Sequence, residues 1–215
     1  MSQRVILALA VVAGLSYGWL RGMAVSWTPS WAPRMETVAA VSPGGDRARP
    51  ALEDGTHACF AGGCFWSTQA RFEGVPGVEA VVAGTIDGRE AVWVSFNPGV
   101  VHYRELVDHY WRGIDPFATG GQFCDLGESY RPAIYVTSGR MRDDAEASRR
   151  DVEAILGRRV SVPVLEGDAF VPAPERDQHY ASRHRPQYAF YEWSCGRRAR
   201  LQEIWGLLHS LSPDR

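Results

Sequence analysis

Asp87-Gly88 stands between two β-branched runs, Val78 to Ile86 and Ala91 to Phe96. That arrangement leaves the chain few options. A two-residue connection joins antiparallel strands through a type I′ turn, which needs positive φ at both central residues, and Asp-Gly meets that need. The pattern therefore predicts a tight hairpin. Elements of a different period surround it. His57 to Ala61 is a short apolar strand ending at Gly62-Gly63. A helix is expected from about Cys64 to Glu73, stopped by Gly74 and Pro76-Gly77. Tyr103 to Ile114 places Leu106, Val107, Tyr110 and Trp111 on one helical face. Ala133 to Val136 and Val160 to Leu165 read as strands, and Met141 to Leu156 and Ala199 to Leu211 as helices. Helices interleaved with strands, at least two of them antiparallel, predict an α+β two-layer sandwich. Its expected form is a mixed β-sheet with packed helices and a ferredoxin-like core.

The first residues have another character. Arg4 precedes an apolar stretch from Val5 to Leu20, broken only by Ser16 and glycines. It is shorter than the roughly 20 residues of a membrane span. Gly22-Met23-Ala24 offers small residues for cleavage, with Arg21 awkwardly close. Residues 1–24 are expected to be a signal peptide or an uncleaved anchor, placing the protein in the periplasm or on the outer side of the membrane. A misassigned start codon would instead leave it cytoplasmic. Pro29, Pro33, Gly44-Gly45, Pro43 and Pro50 interrupt residues 25–55, which read as a linker. The folded domain is expected over residues 56–212, as a monomer.

Charge and cysteine usage narrow the chemistry. The net charge is -2, so no basic field argues for nucleic acid. All 23 basic residues are Arg, which removes lysine as a base or Schiff-base former. The four cysteines (Cys59, Cys64, Cys124 and Cys195) are too sparse for a disulfide scaffold. No CxxC pair is present, which argues against a zinc site. His179 and His184 lack suitably spaced partners. No metal or other cofactor is expected.

Gly62-Gly63-Cys64-Phe65-Trp66 is where chemistry concentrates. A strand ends, two glycines turn the chain, and a helix begins at or just after Cys64. The first turn of a helix carries unpaired N–H groups and partial positive charge, which favour a thiolate. This reading expects a lowered Cys64 pKa and a nucleophilic sulfur. Phe65 and Trp66 add an apolar wall suited to a methyl group on a polar sulfur. The competing reading is a buried, inert thiol. Cys59, inside a strand, fits that second description.

Ala61-Gly62-Gly63-Cys64-Phe65-Trp66 resembles the signature of the A-type methionine sulfoxide reductases. Further segments match in order: Phe72-Glu73-Gly74-Val75-Pro76-Gly77-Val78, Glu90-Ala91-Val92, Asn97-Pro98 and Ile114-Asp115-Pro116. They continue with Gln122 to Gly127, Ser129 to Tyr135, Asp177-Gln178-His179-Tyr180 and Cys195-Gly196-Arg197. The resemblance spans roughly residues 57 to 206. It implies a peptide-methionine (S)-S-oxide reductase acting on oxidised proteins, peptides or the free amino acid.

The same resemblance assigns roles. Cys64 attacks the sulfoxide sulfur and becomes a sulfenic acid, which a second thiol converts to a disulfide. A thioredoxin-like reductant then reduces it. Glu90 is the matching acid that protonates the sulfoxide oxygen. Spacing alone would make it an ordinary strand-end carboxylate, whereas burial beside Phe65 and Trp66 would raise its pKa as required. Asp125 and Tyr130 match positions around the sulfoxide oxygen. Cys195, in a segment expected to be irregular after Pro186 and Gln187, is the implied resolving thiol. Cys124, beside Asp125, is its rival.

One departure stands out. The family carries a long Gly-, Tyr- and Thr-rich loop between the strands that here meet at Asp87-Gly88, and that loop brings a tyrosine into the site. Losing one such donor typically costs about 10²–10³ in rate. An alternative is therefore a non-catalytic homologue that binds methionine sulfoxide. Retention of Cys64, Glu90, Asp125, Tyr130 and Cys195 weighs against it.

Overall fold

The chain is described by a computed structural model over residues 55–206. The expected signal segment and nearly all of the linker lie outside these residues. Strand β1 (His57–Ala61) is followed by helix α1 (Phe65–Phe72), strands β2 (Val78–Ile86) and β3 (Arg89–Phe96), and helix α2 (Tyr103–Trp111). Two short strands, β4 (Gly121–Gln122) and β5 (Asp125–Leu126), lead through a 3₁₀ turn at Glu128–Tyr130 into β6 (Ala133–Val136). Helix α3 (Gly139–Leu156), strands β7 (Val164–Glu166) and β8 (Val171–Pro172), and helices α4 (Tyr180–Arg183), α5 (Arg185–Ser194) and α6 (Arg197–Trp205) complete it.

The main sheet has the order β7-β6-β1-β3-β2-β8. Only the β6–β7 pair is parallel. Within it, β1-α1-β2-β3-α2-β6 is the ferredoxin-like unit, with β6 and β3 flanking β1. The hairpin turns at Asp87 (φ 50) and Gly88 (φ 74), as a type I′ turn demands. Alternation along β1 explains its apolar composition. Ala58 and Phe60 face the helices; Cys59 and Ala61 face the second side, with Ile86, Tyr135 and Phe170. Both sides are buried from Ala58 to Ala61, and those four positions carry no charged or hydrogen-bonding side chain beyond a thiol. Cys59 is completely buried, and desolvation pushes its pKa far up.

The first core is aromatic. Phe60 stacks on Phe72 and Tyr110 at 4.9 and 5.2 Å between ring centroids. Trp111 donates its indole N–H to Ser148 Oγ at 3.0 Å, joining α2 to α3. Boundaries differ from expectation at several places, three of which have a clear local cause. β7 begins only at Val164: Pro163 has no N–H to give a ladder, and its carbonyl accepts from Ile134 N–H at 3.0 Å. The final helix begins at Arg197, directly after Gly196. The segment after Pro186 and Gln187, expected to be irregular, is part of helix α5, because Pro186 lies in the first turn, where a missing N–H breaks no bond.

Candidate functional site

β1 delivers the chain to the site. The Tyr110 hydroxyl donates to the Ala61 carbonyl at 2.7 Å, fixing the end of the strand. Gly63 has φ +85, and a Cβ there would stand 2.6 Å from Gln122 Cβ. Glycine is therefore required at this turn by backbone and by space. Gln122 is held in turn by Asp115, accepting from its N–H at 2.8 Å and donating to its carbonyl at 2.9 Å. Cys64 is the N-cap of α1, and its carbonyl accepts from Ser67 and Thr68 N–H.

Glu90 reaches the same place from β3. β1 and β3 pair Phe60 with Val92. Two residues before Val92, near the start of β3, Glu90 stands beside the glycine turn that follows β1. Its Oε2 accepts from Phe65 N–H at 2.9 Å, in the first turn of α1. Burial raises the Glu90 pKa, and the charges of Asp125 and Asp177 add to that; the Phe65 N–H opposes it. Glu90 thus holds its proton to higher pH than an exposed glutamate.

Cys64 departs from the expectation of an acidic thiol. It is buried, and desolvation pushes its pKa up to about 11, with the Glu90 charge next in effect. The Trp66 N–H of the helix start lowers it, as the sequence argument held, but burial outweighs that donor. The resting group is a thiol. Tyr130, half-buried, is raised first by Glu90, then by burial, Asp125 and Cys64. Glu90, Asp125, Tyr130 and Cys64 are therefore within electrostatic reach of one another. Phe65 and Trp66 are half-buried, with ring centroids 6.2 Å apart.

The two candidates for the resolving thiol are not alternatives. Cys124 and Cys195 form a disulfide with a Cα–Cα distance of 5.0 Å, and Cys64 is free. Cys195 caps α5 rather than lying in a loop, and its N–H donates to the Tyr191 carbonyl at 3.0 Å. Arg197 explains the residues after it. This buried guanidinium donates to the Gly113 carbonyl at 3.2 Å and lies 4.2 Å above the Phe123 ring. It thereby ties the segment after Cys195 to the segment carrying Cys124. A cleft of about 330 Å³, lined by Asp115, Phe123, Leu126, Cys195 and Arg200 among others, lies against the disulfide rather than against Cys64.

Residues with no role in the sequence reading complete the walls. Tyr180 stacks on Trp66 at 3.8 Å. Gln178 places it: its side chain donates to Ala83 and Ala173 carbonyls at 2.8 and 3.0 Å and accepts from Ala83 N–H at 2.9 Å. Gln69 on α1 accepts from His179 N–H and donates to Gln178 Oε1. The Asp177-Gln178-His179-Tyr180 motif is thus a clamp between α1 and β2 that presents an aromatic ring to Trp66. His179 Nδ1 is paired with Glu73 at 2.6 Å, and His184 packs on Tyr180. Among the described residues no cluster of three or more His, Cys, Asp or Glu is placed to hold a metal ion. Tyr191, also unforeseen, donates its hydroxyl to the Asp125 carboxylate.

Comparison with known proteins assigns the family. The sequence profile described as "Peptide methionine sulfoxide reductase" matches residues 56–90 and 83–208. The peptide methionine sulfoxide reductase MsrA of Bacillus licheniformis is 37% identical over 171 residues, covering 71% of this chain and 94% of the relative. This chain belongs to the peptide methionine sulfoxide reductase family. A second relative, peptide methionine sulfoxide reductase MsrA 2 of Caulobacter vibrioides, is 39% identical over 167 residues, covering 69% of this chain and 85% of its own length. The fold likewise matches a family structure, the reduced form of Mxr1 from Saccharomyces cerevisiae, with a TM-score of 0.54 at 22% identity over 61% of this chain and 86% of that one. Methionine sulfoxide reductase A of Corynebacterium diphtheriae gives 0.53 at 22% identity, over 60% and 75% of the two chains. The family assignment makes this chain a thiol-dependent methionine sulfoxide reductase.

Proposed function

We propose that this protein reduces methionine-S-sulfoxide, in proteins or free, through nucleophilic attack by Cys64. The hydrogen bond from Phe65 N–H to Glu90 Oε2, which sets this carboxyl beside Cys64, carries this reading, and Asp125 and Tyr130 bear electrostatically on the same site. The substrate methyl group packs against Phe65 and Trp66, with its oxygen toward Glu90 and Tyr130. Glu90 donates a proton to that oxygen, which makes the substrate sulfur electrophilic. Cys64 attacks it, and the thiol proton passes to the Glu90 carboxylate. The substrate S–O bond breaks as the oxygen transfers, leaving methionine and Cys64 sulfenic acid. The preference for the S epimer follows from the family resemblance.

The recovery steps follow from the disulfide. The Cys195 thiol attacks the sulfenic sulfur and expels water, giving a Cys64–Cys195 disulfide. Cys124 thiolate then attacks the Cys195 sulfur, which frees the Cys64 thiol and leaves the Cys124–Cys195 pair. Cys124 is exposed and Cys195 half-buried, so this pair is more open to a partner than Cys64 is. A thioredoxin-like dithiol reduces it and becomes oxidised itself. The N-terminal Arg4 and the apolar run after it support export, with oxidised proteins outside the cytoplasm as substrates.

Turnover with thioredoxin, thioredoxin reductase and NADPH tests the scheme, using separate S and R epimers of a methionine sulfoxide peptide. S-specific turnover is expected in the wild type. Cys195→Ser and Cys124→Ser are each expected to retain one methionine-forming event per chain and to lose at least about tenfold in thioredoxin-driven turnover, since thiolate access governs disulfide exchange. Full turnover by either variant would contradict the relay. Sulfoxide binding without methionine formation would favour the non-catalytic alternative.

A further inference from the structure

Tyr191 sits where no established part of the site requires a tyrosine. It lies on α5, half-buried, one turn before Cys195. Its hydroxyl donates to Asp125 Oδ2. The same hydroxyl lowers the Cys64 thiol's pKa against the larger effect of burial. Tyr191 thus joins Asp125 by a hydrogen bond and acts on Cys64, the group on which Glu90 and Asp125 also act. The hairpin contributes nothing further there, since it turns in two residues at Asp87-Gly88.

We infer that Tyr191 is a catalytic hydrogen-bond donor in the sulfoxide-reducing step, giving its one proton either to the Cys64 sulfur as the thiol is deprotonated or to the substrate oxygen as Glu90 protonates it. The inference rests on the reductase reading above. A phenol has one proton to give. In the resting site it goes to the Asp125 carboxylate. When substrate enters, the proton is redirected to the sulfoxide oxygen or to the Cys64 sulfur. Asp125 is then the group that aims the phenol. Burial keeps the Tyr191 phenol protonated far above neutral pH, with the Cys64 and Asp125 charges adding to the effect, so the donor is present throughout the working range.

The position also links the two halves of the cycle. Tyr191 and Cys195 are four residues apart, and the Cys195 N–H is bonded to the Tyr191 carbonyl. Movement of Cys195 toward Cys64 therefore carries Tyr191 with it.

Tyr191→Phe keeps the ring and removes only the hydroxyl. Methionine formed in a single turnover, from reduced protein without added reductant, is expected to slow by about 10²-fold. Cys64 alkylation by iodoacetamide, followed by mass spectrometry across pH, provides a readout that does not depend on activity. Its midpoint is expected to move to higher pH in the variant, because a donor to the thiolate is gone. Tyr188→Phe, whose phenol hydrogen-bonds to Glu192 at 2.8 Å, is the control and leaves both readouts as in the wild type. Single-turnover rates within about threefold of wild type, a change well below what such a donor contributes, together with an unmoved alkylation profile, would overturn the inference. A wild type that forms no methionine would instead overturn the reductase reading. The alkylation profile would still report whether Tyr191 serves Cys64.

Discussion

Replacing Glu90 by Gln is expected to slow the sulfoxide-reducing step by about 10²–10⁴-fold, the range a positioned general acid supplies. A sulfoxide oxygen is a poor leaving group unless protonated, and Glu90 is the carboxyl beside Cys64 whose environment favours the acid form. Burial dominates, and nearby Asp125 and Asp177 act in the same direction. The sign of the pH dependence follows. Protonated Glu90 is the active form, and its pKa is raised. Activity therefore holds through the acidic range and falls as pH rises through that raised value. The substituted amide is uncharged at every pH, so the Glu90→Gln variant should be slow and lack this decline. The amide oxygen still accepts the Phe65 N–H, so the fold is retained. Methionine release in a single turnover, followed against pH, measures both effects. Loss of less than about tenfold, below the lower end of that range, would place the acid elsewhere.

Phe60→Ala is expected to cost about 3–5 kcal/mol of folding stability. Phe60 is wholly buried in the middle strand of the sheet and stacks on Phe72 and Tyr110, with Tyr103 beyond. Truncation leaves a cavity that cannot collapse, because its walls belong to α1, α2 and β1 together. Total stability of a domain is only about 5–15 kcal/mol, so the loss is a large part of it. It should appear as a lower denaturant midpoint with an unchanged slope. It should also weaken the site, because the same strand carries Ala61, whose carbonyl anchors Tyr110 next to the Cys64 turn. A change below about 1 kcal/mol would mean that the aromatic stack repacks, as well-tolerated core changes do.

The parts of this molecule that obey a local period were legible from sequence. The Asp87-Gly88 hairpin, the buried strand ending at Gly62-Gly63 and the helix beginning after Cys64 follow from backbone rules acting within a few residues. The β4–β5 pair and β8 were not legible, since two-residue strands carry no periodicity. Helix α5 was missed because Pro186 reads as a breaker until its place in the first turn is known. The Cys64 pKa was misjudged for a similar reason. The helix start is a local feature and was read correctly, while burial depends on the whole fold and outweighs it. Cys124 and Cys195 are 71 residues apart, and the packing of Arg197 on Phe123 with the Tyr191–Asp125 hydrogen bond shows why they meet. Tyr191 could have been suspected from its place one helical turn before Cys195.

The central claim is that Cys64 takes the oxygen and passes the oxidation outward to Cys124 and Cys195. Counting methionine formed per chain tests it most directly, starting from fully reduced protein with excess S sulfoxide and no reductant. The account predicts two equivalents: one leaves the Cys124–Cys195 disulfide and a regenerated Cys64, and the next leaves Cys64 as sulfenic acid. Cys195→Ser should stop at one, and Cys64→Ser should form none. Methionine formation that survives in Cys64→Ser would contradict the account.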